Sequence, residues 1–250
     1  MSKDPELVLP GGNLGGAVRV GDTVRRGTGP WTPAVHALLA QLRPRLAGIP
    51  QVLGFDAAGR EVLTYLPGRV VDLDTESLTP GQIGSLVRWT RDFHARVADF
   101  RHPGPWRYFP SAAPTIIGHN DIAPYNVCFD GDELVGVFDW DLAGPTTVLG
   151  ELAFIAWNCV PLWRDDGPAT AARRLELIAT SYAGGYDAGQ ILRAVPERIR
   201  IMLDGIPVAA AAGDPGMVNL MAAGEPEYSA RSLAELIQRI PAIEAQLSAG

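Results

Sequence analysis

The apolar pattern of the chain changes character once, at Pro67-Gly68, and that change limits the fold more than any other feature. Before it, short apolar runs are separated by glycine: Leu7-Val8-Leu9, the cluster Gly11-Gly12-Asn13-Leu14-Gly15-Gly16, Ala17-Val18-Arg19-Val20 and Thr23-Val24-Arg25-Arg26. Gly21-Asp22 between the last two runs is a hairpin signal, because glycine supplies the positive φ that a tight turn requires. One helix is predicted in this block, with Thr32 as N-cap, Pro33 at its first position, Val35, Leu38, Leu39 and Leu42 on one face, and Pro44 as its stop. Strands from Gln51 to Phe55 and from Glu61 to Leu66 follow, joined by a turn over 56–60. Beyond Pro67-Gly68 the spacing becomes helical. Helices are expected from Thr79-Pro80 to about Phe100, then over Leu152 to Val160, Ala169 to Tyr186, Ala188 to Leu203 and Ser229 to Leu247. Pro196 is expected to kink or divide the Ala188 to Leu203 stretch, and Asp204-Gly205 and Gly213-Asp214-Pro215-Gly216 read as turns. The expected class is α+β, with a small antiparallel-sheet lobe carrying one helix over 1–66 and a mainly helical lobe over 67–250.

Charge removes several function classes. The net charge of −7 has the wrong sign for an electrostatic grip on nucleic acid or anionic lipid, so neither is expected as a partner. Of the 21 basic residues 20 are arginine, and the one lysine is Lys3, which excludes a Walker A phosphate loop and argues against a Schiff-base lysine. Cys128 and Cys159 form no C-x-x-C pair, and His36, His94, His102 and His119 show no i, i+4 spacing, so a zinc site is not expected. With no apolar leader and no window of 18 apolar residues, a cytoplasmic location is expected.

The stretch that carries chemistry is Ile117-Gly118-His119-Asn120-Asp121-Ile122-Ala123-Pro124-Tyr125-Asn126-Val127-Cys128-Phe129, followed by Asp130-Gly131-Asp132-Glu133 and Leu134-Val135-Gly136-Val137-Phe138-Asp139-Trp140-Asp141. Two apolar runs around an Asp-Gly turn predict a hairpin, and a turn centred between Asp132 and Glu133 sets Asn126 opposite Asp139. Asp and Asn before a strand are ordinary turn formers when taken singly. Together they place an amide oxygen beside a carboxylate at the open end of the ribbon, with Asp121 just upstream. Such oxygen donors suit Mg²⁺, which takes few protein ligands and completes its shell with water and phosphate.

This pattern resembles the aminoglycoside phosphotransferase and choline kinase-like family, relatives of protein kinases with a small sheet lobe and a helical lobe. The resemblance implies a protein-kinase-like fold and transfer of the γ-phosphoryl group of ATP or GTP to a hydroxyl, with Mg²⁺. It implies Asp121 as the carboxylate that accepts or orients the acceptor's proton, Asn126 and Asp139 as metal ligands, and His119 as the brace of the loop. Asp141 either touches the metal or anchors the following loop, Trp140 reads as core, and Glu151 is expected as a helix cap bracing the catalytic loop. The family's phosphate-gripping strand lysine is absent, and 31–45 contains no acid to pair with one. Arg26 is the best substitute, with Arg25 its competitor. Gly11 and Gly12 take the place of the phosphate-covering loop, and Thr64, Tyr65 and Leu66 that of the hinge whose backbone meets a purine. The acceptor is expected to be a small hydroxylated molecule, and Asp165, Asp166, Glu225 and Glu227 would suit one that also bears an amine. Two other classes stand beside the kinase: a non-catalytic nucleotide or ligand binder, and a metal-dependent phosphoester hydrolase, for which the chain offers too few His and Asp clusters.

Overall fold

The computed structural model describes residues 5–9, 16–73, 75–107, 109 and 111–248. Gly11 and Gly12 lie outside them.

The sheet lobe is a five-stranded antiparallel sheet in the order β1-β2-β3-β5-β4, built from β1 (Leu7–Val8), β2 (Val18–Val20), β3 (Thr23–Arg26), β4 (Val52–Phe55) and β5 (Glu61–Thr64). Gly21, at φ 59°, makes the turn that pairs Val20 with Thr23. The β3–β5 ladder then sets Arg26 directly opposite Glu61, a register that later positions the site. Helix α1 (Thr32–Leu42) buries Val35, Leu38, Leu39 and Leu42, the face its spacing predicts. Its cap differs from expectation by one residue. Trp31 takes the N-cap position without a side-chain bond, while the Thr32 hydroxyl accepts from the Gly29 N–H and closes the preceding turn.

Helix α2 (Pro80–Val97) opens the helical lobe with a reciprocal capping box between Thr79 and Gln82. The hairpin of β7 (Val127–Asp130) and β8 (Glu133–Val137) docks its tip on that helix end: Thr79 Oγ1 donates to Asp132 at 2.6 Å and Gln82 Nε2 to the Gly131 carbonyl at 3.1 Å. Two connections tie the hairpin to the chain on its other side. Val137 N–H donates to the Gly48 carbonyl, and Arg69 and Phe129 exchange backbone hydrogen bonds. A second pair of strands, β6 (Ile116–Gly118) and β9 (Gly144–Thr146), brackets the loops at the hairpin's open end. Three residues each, with Gly144-Pro145 in one, these strands carry no alternating pattern to announce them.

The remaining helices are α3 (Val148–Cys159), α4 (Pro168–Tyr182), α5 (Ala188–Ala211), α6 (Pro215–Ala222) and α7 (Glu225–Leu247). Helix α3 is buried from Glu151 through Cys159 and fills the centre of the lobe, where Leu152, Ile155, Leu175, Ile191, Val195 and Leu236 are all fully buried. Helix α5 runs unbroken through Pro196 and Pro207, so the first proline does not divide it. Asp204-Gly205 is helix rather than turn, because the ring of Phe109 lies on the helix backbone there: a Cβ on Gly205 would meet Phe109 Cδ2 at 2.2 Å. Gly213, at φ 89°, does turn the chain, and Asp214 then caps α6 by accepting from the N–H groups of Gly216 and Met217. Among the described residues no helix is long and apolar enough to cross a membrane.

Candidate active site

Glycine 118 ends β6 where a side chain has no room; a Cβ there would stand 2.5 Å from Thr146 Cγ2 and 2.8 Å from a Glu151 carboxylate oxygen. That close approach lets the buried Glu151 carboxylate reach the next turn of chain. Its Oε1 accepts the Asn120 N–H at 2.7 Å, and its Oε2 pairs with His94 Nε2 at 2.5 Å. Burial opposes ionisation of Glu151, yet its contacts with His94 and the Asn120 N–H together outweigh it and hold the carboxyl below the usual range. Glu151 therefore braces the loop as expected, although the cap of α3 is Thr147, whose hydroxyl accepts from Gly150. Asn120 itself sits at φ 64°, ties its amide to the Leu142 and Gly144 carbonyls, and offers its own carbonyl to the buried Arg198 at 2.7 Å.

His119 is wholly buried. Its Nδ1 accepts the Asp121 N–H at 3.2 Å, and its Nε2 faces the Phe138 carbonyl at 3.1 Å, which can only accept. Those roles require the neutral Nε2–H tautomer, and burial also pushes the imidazole pKa down. His119 thus links the Asp121 loop to the end of β8 without a charge of its own, with Trp140 edge-on against its ring in the core.

Asp121 receives Tyr125 O–H on Oδ1 at 3.0 Å and Asn126 Nδ2 on Oδ2 at 2.7 Å. Burial, reinforced by the charge of Asp139, pushes its carboxyl up to about 7. Asn126 ends a single 3-10 turn, Pro124–Asn126, that delivers its side chain back under the loop. The register at the hairpin's open end differs from expectation by one residue. The turn is Gly131-Asp132, a bulge intervenes at Cys128/Phe129, and Phe138 N–H donates to the Asn126 carbonyl. Asp139 lies one position further on, and its left-handed backbone, φ 59°, turns it out of the strand. Asn126 and Asp139 nonetheless line one cavity with Asp121.

Arg26 reaches this point from the sheet lobe. Its Nε donates to Glu61 at 2.6 Å, one terminal nitrogen to Asp139 at 2.8 Å and the other to Asp141. Burial opposes its charge, but Asp141, Asp139 and Glu61 raise its pKa further above the usual arginine range. Burial likewise opposes ionisation of Asp139, and Arg26 reverses that, holding its carboxyl low. Arg107, half-buried, forks onto Asp214 with two bonds of 2.7 Å and lies over the Trp31 ring. Asp141 is thus an anchor between two arginines, its second oxygen 3.7 Å from Arg107.

Two cavities meet at Asp121 and Asp139. A small one of about 110 Å³ lies between the lobes, lined by Gly16, Ala17, Arg26, Arg107 and Asp141. A larger one of about 610 Å³ opens on the helical side against Phe109, Phe154, Trp157, Trp163 and Tyr228. Of the four acids considered for an acceptor, Glu225 lines this larger cavity, while Asp166 bonds Arg164 and Asp165 lies 3.7 Å from Arg239. The hinge stretch spends two of its N–H groups inside the protein, Thr64 on the Gln51 carbonyl and Tyr65 on that of Asp22. Among the described residues no three of His, Cys, Asp and Glu form a metal cage. The oxygen donors present are the Asn126 amide and the Asp139 carboxylate. With Asp121 and Asp141 beside Asp139, acids outnumber arginines around the small cavity. That excess, together with two hard donors facing an open cavity, suits a Mg²⁺ that keeps water and phosphate as its other ligands.

Sequence reasoning missed Glu61, His36, Arg107, Asp214 and Arg198. Glu61 is found only through the pairing of β3 with β5, strands separated in sequence by α1 and β4.

Residues 105–192 match the model of the phosphotransferase enzyme family. The trifolitoxin immunity protein of Rhizobium leguminosarum bv. trifolii is 34% identical over 172 residues, covering 64% of this chain and 64% of that protein, so the match spans just under two thirds of that relative. Among solved structures, the microcompartment-associated aminopropanol kinase superposes with a TM-score of 0.63 at 14% identity, covering 96% of this chain and 93% of that one. A choline/ethanolamine kinase family protein from Mesorhizobium loti gives 0.58 at 17% identity, covering 98% and 92%. Aminoglycoside phosphotransferase APH(3'')-Id from Streptomyces rimosus, in complex with ADP and streptomycin, gives 0.57 at 14%, covering 78% and 91%. The chain therefore has the two-lobe, protein-kinase-like α+β fold of these phosphotransferases, and the resemblance of its 117–141 stretch to that family is matched by the family model.

Proposed function

We propose that the protein is a kinase that transfers the γ-phosphoryl group of ATP or GTP to a hydroxyl of a small molecule. One observation carries this reading: Asp121 stands where the interlobe cavity and the larger helical-side cavity meet, with Asn126 and Asp139 beside it. A phosphoryl donor in the first and an alcohol in the second would bring their reacting oxygens to the same carboxylate. Asp121 orients the alcohol and takes its proton as the new P–O bond forms and the bond to the leaving nucleotide breaks. Burial raises that carboxyl in the metal-free protein, and a bound Mg²⁺ would favour the ionised form that accepts the proton. Tyr125 and Asn126 fix the carboxylate plane through the bonds described above, and His119 and Glu151 fix the loop on which it is carried.

Asn126 and Asp139 would hold Mg²⁺, which when bound neutralises phosphate charge. Arg26 meets the phosphates from the sheet lobe, in the place of the absent lysine. The backbone of Thr64, Tyr65 and Leu66 is the proposed purine contact, through carbonyls and the Leu66 N–H, since the other two N–H groups are spent. Aromatic walls with Glu225 among them suit a hydroxylated acceptor that has apolar surface and an amine.

The test is nucleotide consumption, with magnesium, across aminoglycosides, choline-like amines, amino alcohols, sugars, macrolides and trifolitoxin. An acceptor-dependent rate is expected, falling at least ~100-fold in Asp121→Asn while nucleotide binding persists. Full activity in that variant would remove Asp121 from the reaction. Nucleotide binding without turnover on any acceptor would replace the kinase with a non-catalytic binder.

A further inference from the structure

Helix α1 carries no acid, and Arg26, which lines the interlobe cavity, takes its sheet-lobe partner from a strand instead. Glu61, 3% exposed, sits opposite Arg26 in the β3–β5 ladder and divides its carboxylate between two partners. Oε1 accepts from Arg26 Nε at 2.6 Å, and Oε2 pairs with His36 Nε2 at 2.7 Å. His36 belongs to α1, and its ring also meets that of Phe55, whose centroid lies 5.5 Å away. The chain histidine, carboxylate, arginine thus runs from the helix through a strand to the mouth of the interlobe cavity.

Geometry gives the chain a task. A guanidinium is planar, so fixing the Nε–H direction also fixes the plane in which its two terminal nitrogens project. Those nitrogens are the ones that cross to Asp139 and Asp141 in the helical lobe. Glu61 in turn would be free to rotate about its own carboxylate if His36 did not hold the second oxygen. We propose that His36 and Glu61 are positioning residues that set the orientation of Arg26 for nucleotide phosphate, so that α1 reaches the phosphate site through a histidine where no helix acid exists. The proposal rests on the phosphoryl-transfer reading above. It also accounts for arginine at position 26: an ammonium has no Nε to give to Glu61 while presenting two further donors in one plane.

The experiment uses the full-length protein and a fluorescent N-methylanthraniloyl ATP with magnesium as probe, so that no acceptor need be known. Glu61→Gln should weaken binding about tenfold, the loss of one charge-assisted bond, and His36→Ala about threefold. His36→Gln, whose amide reaches the same carboxylate, should recover at least half of the His36→Ala loss. In the double variant, removing His36 should add less than it does alone, because both act through one chain. With an acceptor in hand, nucleotide KM should rise while acceptor KM stays put. Thermal midpoints are measured alongside, since a purely structural role would lower them without the glutamine rescue or the KM split. Wild-type protein that binds the probe while His36→Ala binds it equally well, or effects that simply add, would overturn the positioning role alone. Wild-type protein that fails to bind the probe would overturn the kinase reading, and this inference with it.

Discussion

Replacing Asp121 by asparagine should remove catalysis and at the same time make the metal-free protein more stable, and the gain should depend on pH. Burial and the charge of Asp139 move the Asp121 carboxyl from 3.8 to about 7 in the folded chain. Between about pH 4 and 7 the folded protein therefore holds a proton that the unfolded chain has released, and folding stability falls as pH rises through that window. Above pH 7 the ionised carboxylate costs up to about 4 kcal/mol, at ~1.36 kcal/mol per pH unit. Asparagine removes that penalty. It also leaves Tyr125 O–H or Asn126 Nδ2 with a poorer acceptor, a loss of about 1 to 1.5 kcal/mol, and relaxation of the site takes a further share. A net gain of about 2 kcal/mol at pH 8 is expected, or some 4–8 °C in a chain of this size. Thermal denaturation in chelator at pH 8 and pH 5 measures it. At pH 5 Asp121 is protonated in the folded chain and the advantage should vanish or reverse. An equal difference between variant and parent at both pH values, or a variant that is less stable at pH 8, would refute the account of Asp121 as a carboxylate strained by its surroundings.

Glu151→Ala should cost about 3–5 kcal/mol in urea denaturation, since it strands His94 and the Asn120 N–H in the core. Asp214→Ala should cost about 1–2 kcal/mol, of which Asp214→Asn restores the capping share but not the fork to Arg107; the comparison by thermal melts separates the two. Arg26→Lys should weaken magnesium-nucleotide binding by at least tenfold in a fluorescence titration despite keeping the charge, because it gives up the bond to Glu61.

What was legible in the sequence is what local chemistry dictates. Thr79-Pro80 with Gln82 announced the start of α2, Gly21-Asp22 the β2–β3 turn, and the Asp-Gly-rich segment the β7–β8 hairpin. The order and spacing of His119, Asp121, Asn126 and Asp139 carried the resemblance to a phosphotransferase family that the family model over 105–192 matches, because all four sit on one short ribbon and its approach. What was not legible depends on contacts between distant segments. No local rule says that β3 pairs with β5, so the acid partner of Arg26 could not be found on the helix where it was sought. Asp204-Gly205 looked like a turn because glycine breaks isolated helices; here the missing side chain admits the Phe109 ring, and packing overrides propensity. The one-residue error at the open end of the hairpin began at the turn, which is centred one residue earlier than the Asp-Gly-rich segment suggested and so displaced the register by two; the bulge at Cys128/Phe129, which no composition rule signals, took one of those two back.

The absence of lysine bears on whether the site is intact, and the structure changes the weight of that absence. A kinase-like lobe that had lost its function would be expected to lose the partners of its phosphate-facing cation as well, since a buried acid without a counter-charge is costly. Here the reverse holds. Glu61 is buried, yet Arg26 and His36 together hold its carboxyl below the usual range against that burial. Each nitrogen of Arg26 has its own carboxylate, and two of the three acids come from the far side of the cleft. The acid that holds Arg26 therefore lies on a strand, and a histidine on the helix completes the set. Residues separated by up to 35 positions thus hold one guanidinium at the mouth of the interlobe cavity, where the proposed kinase would place its phosphates.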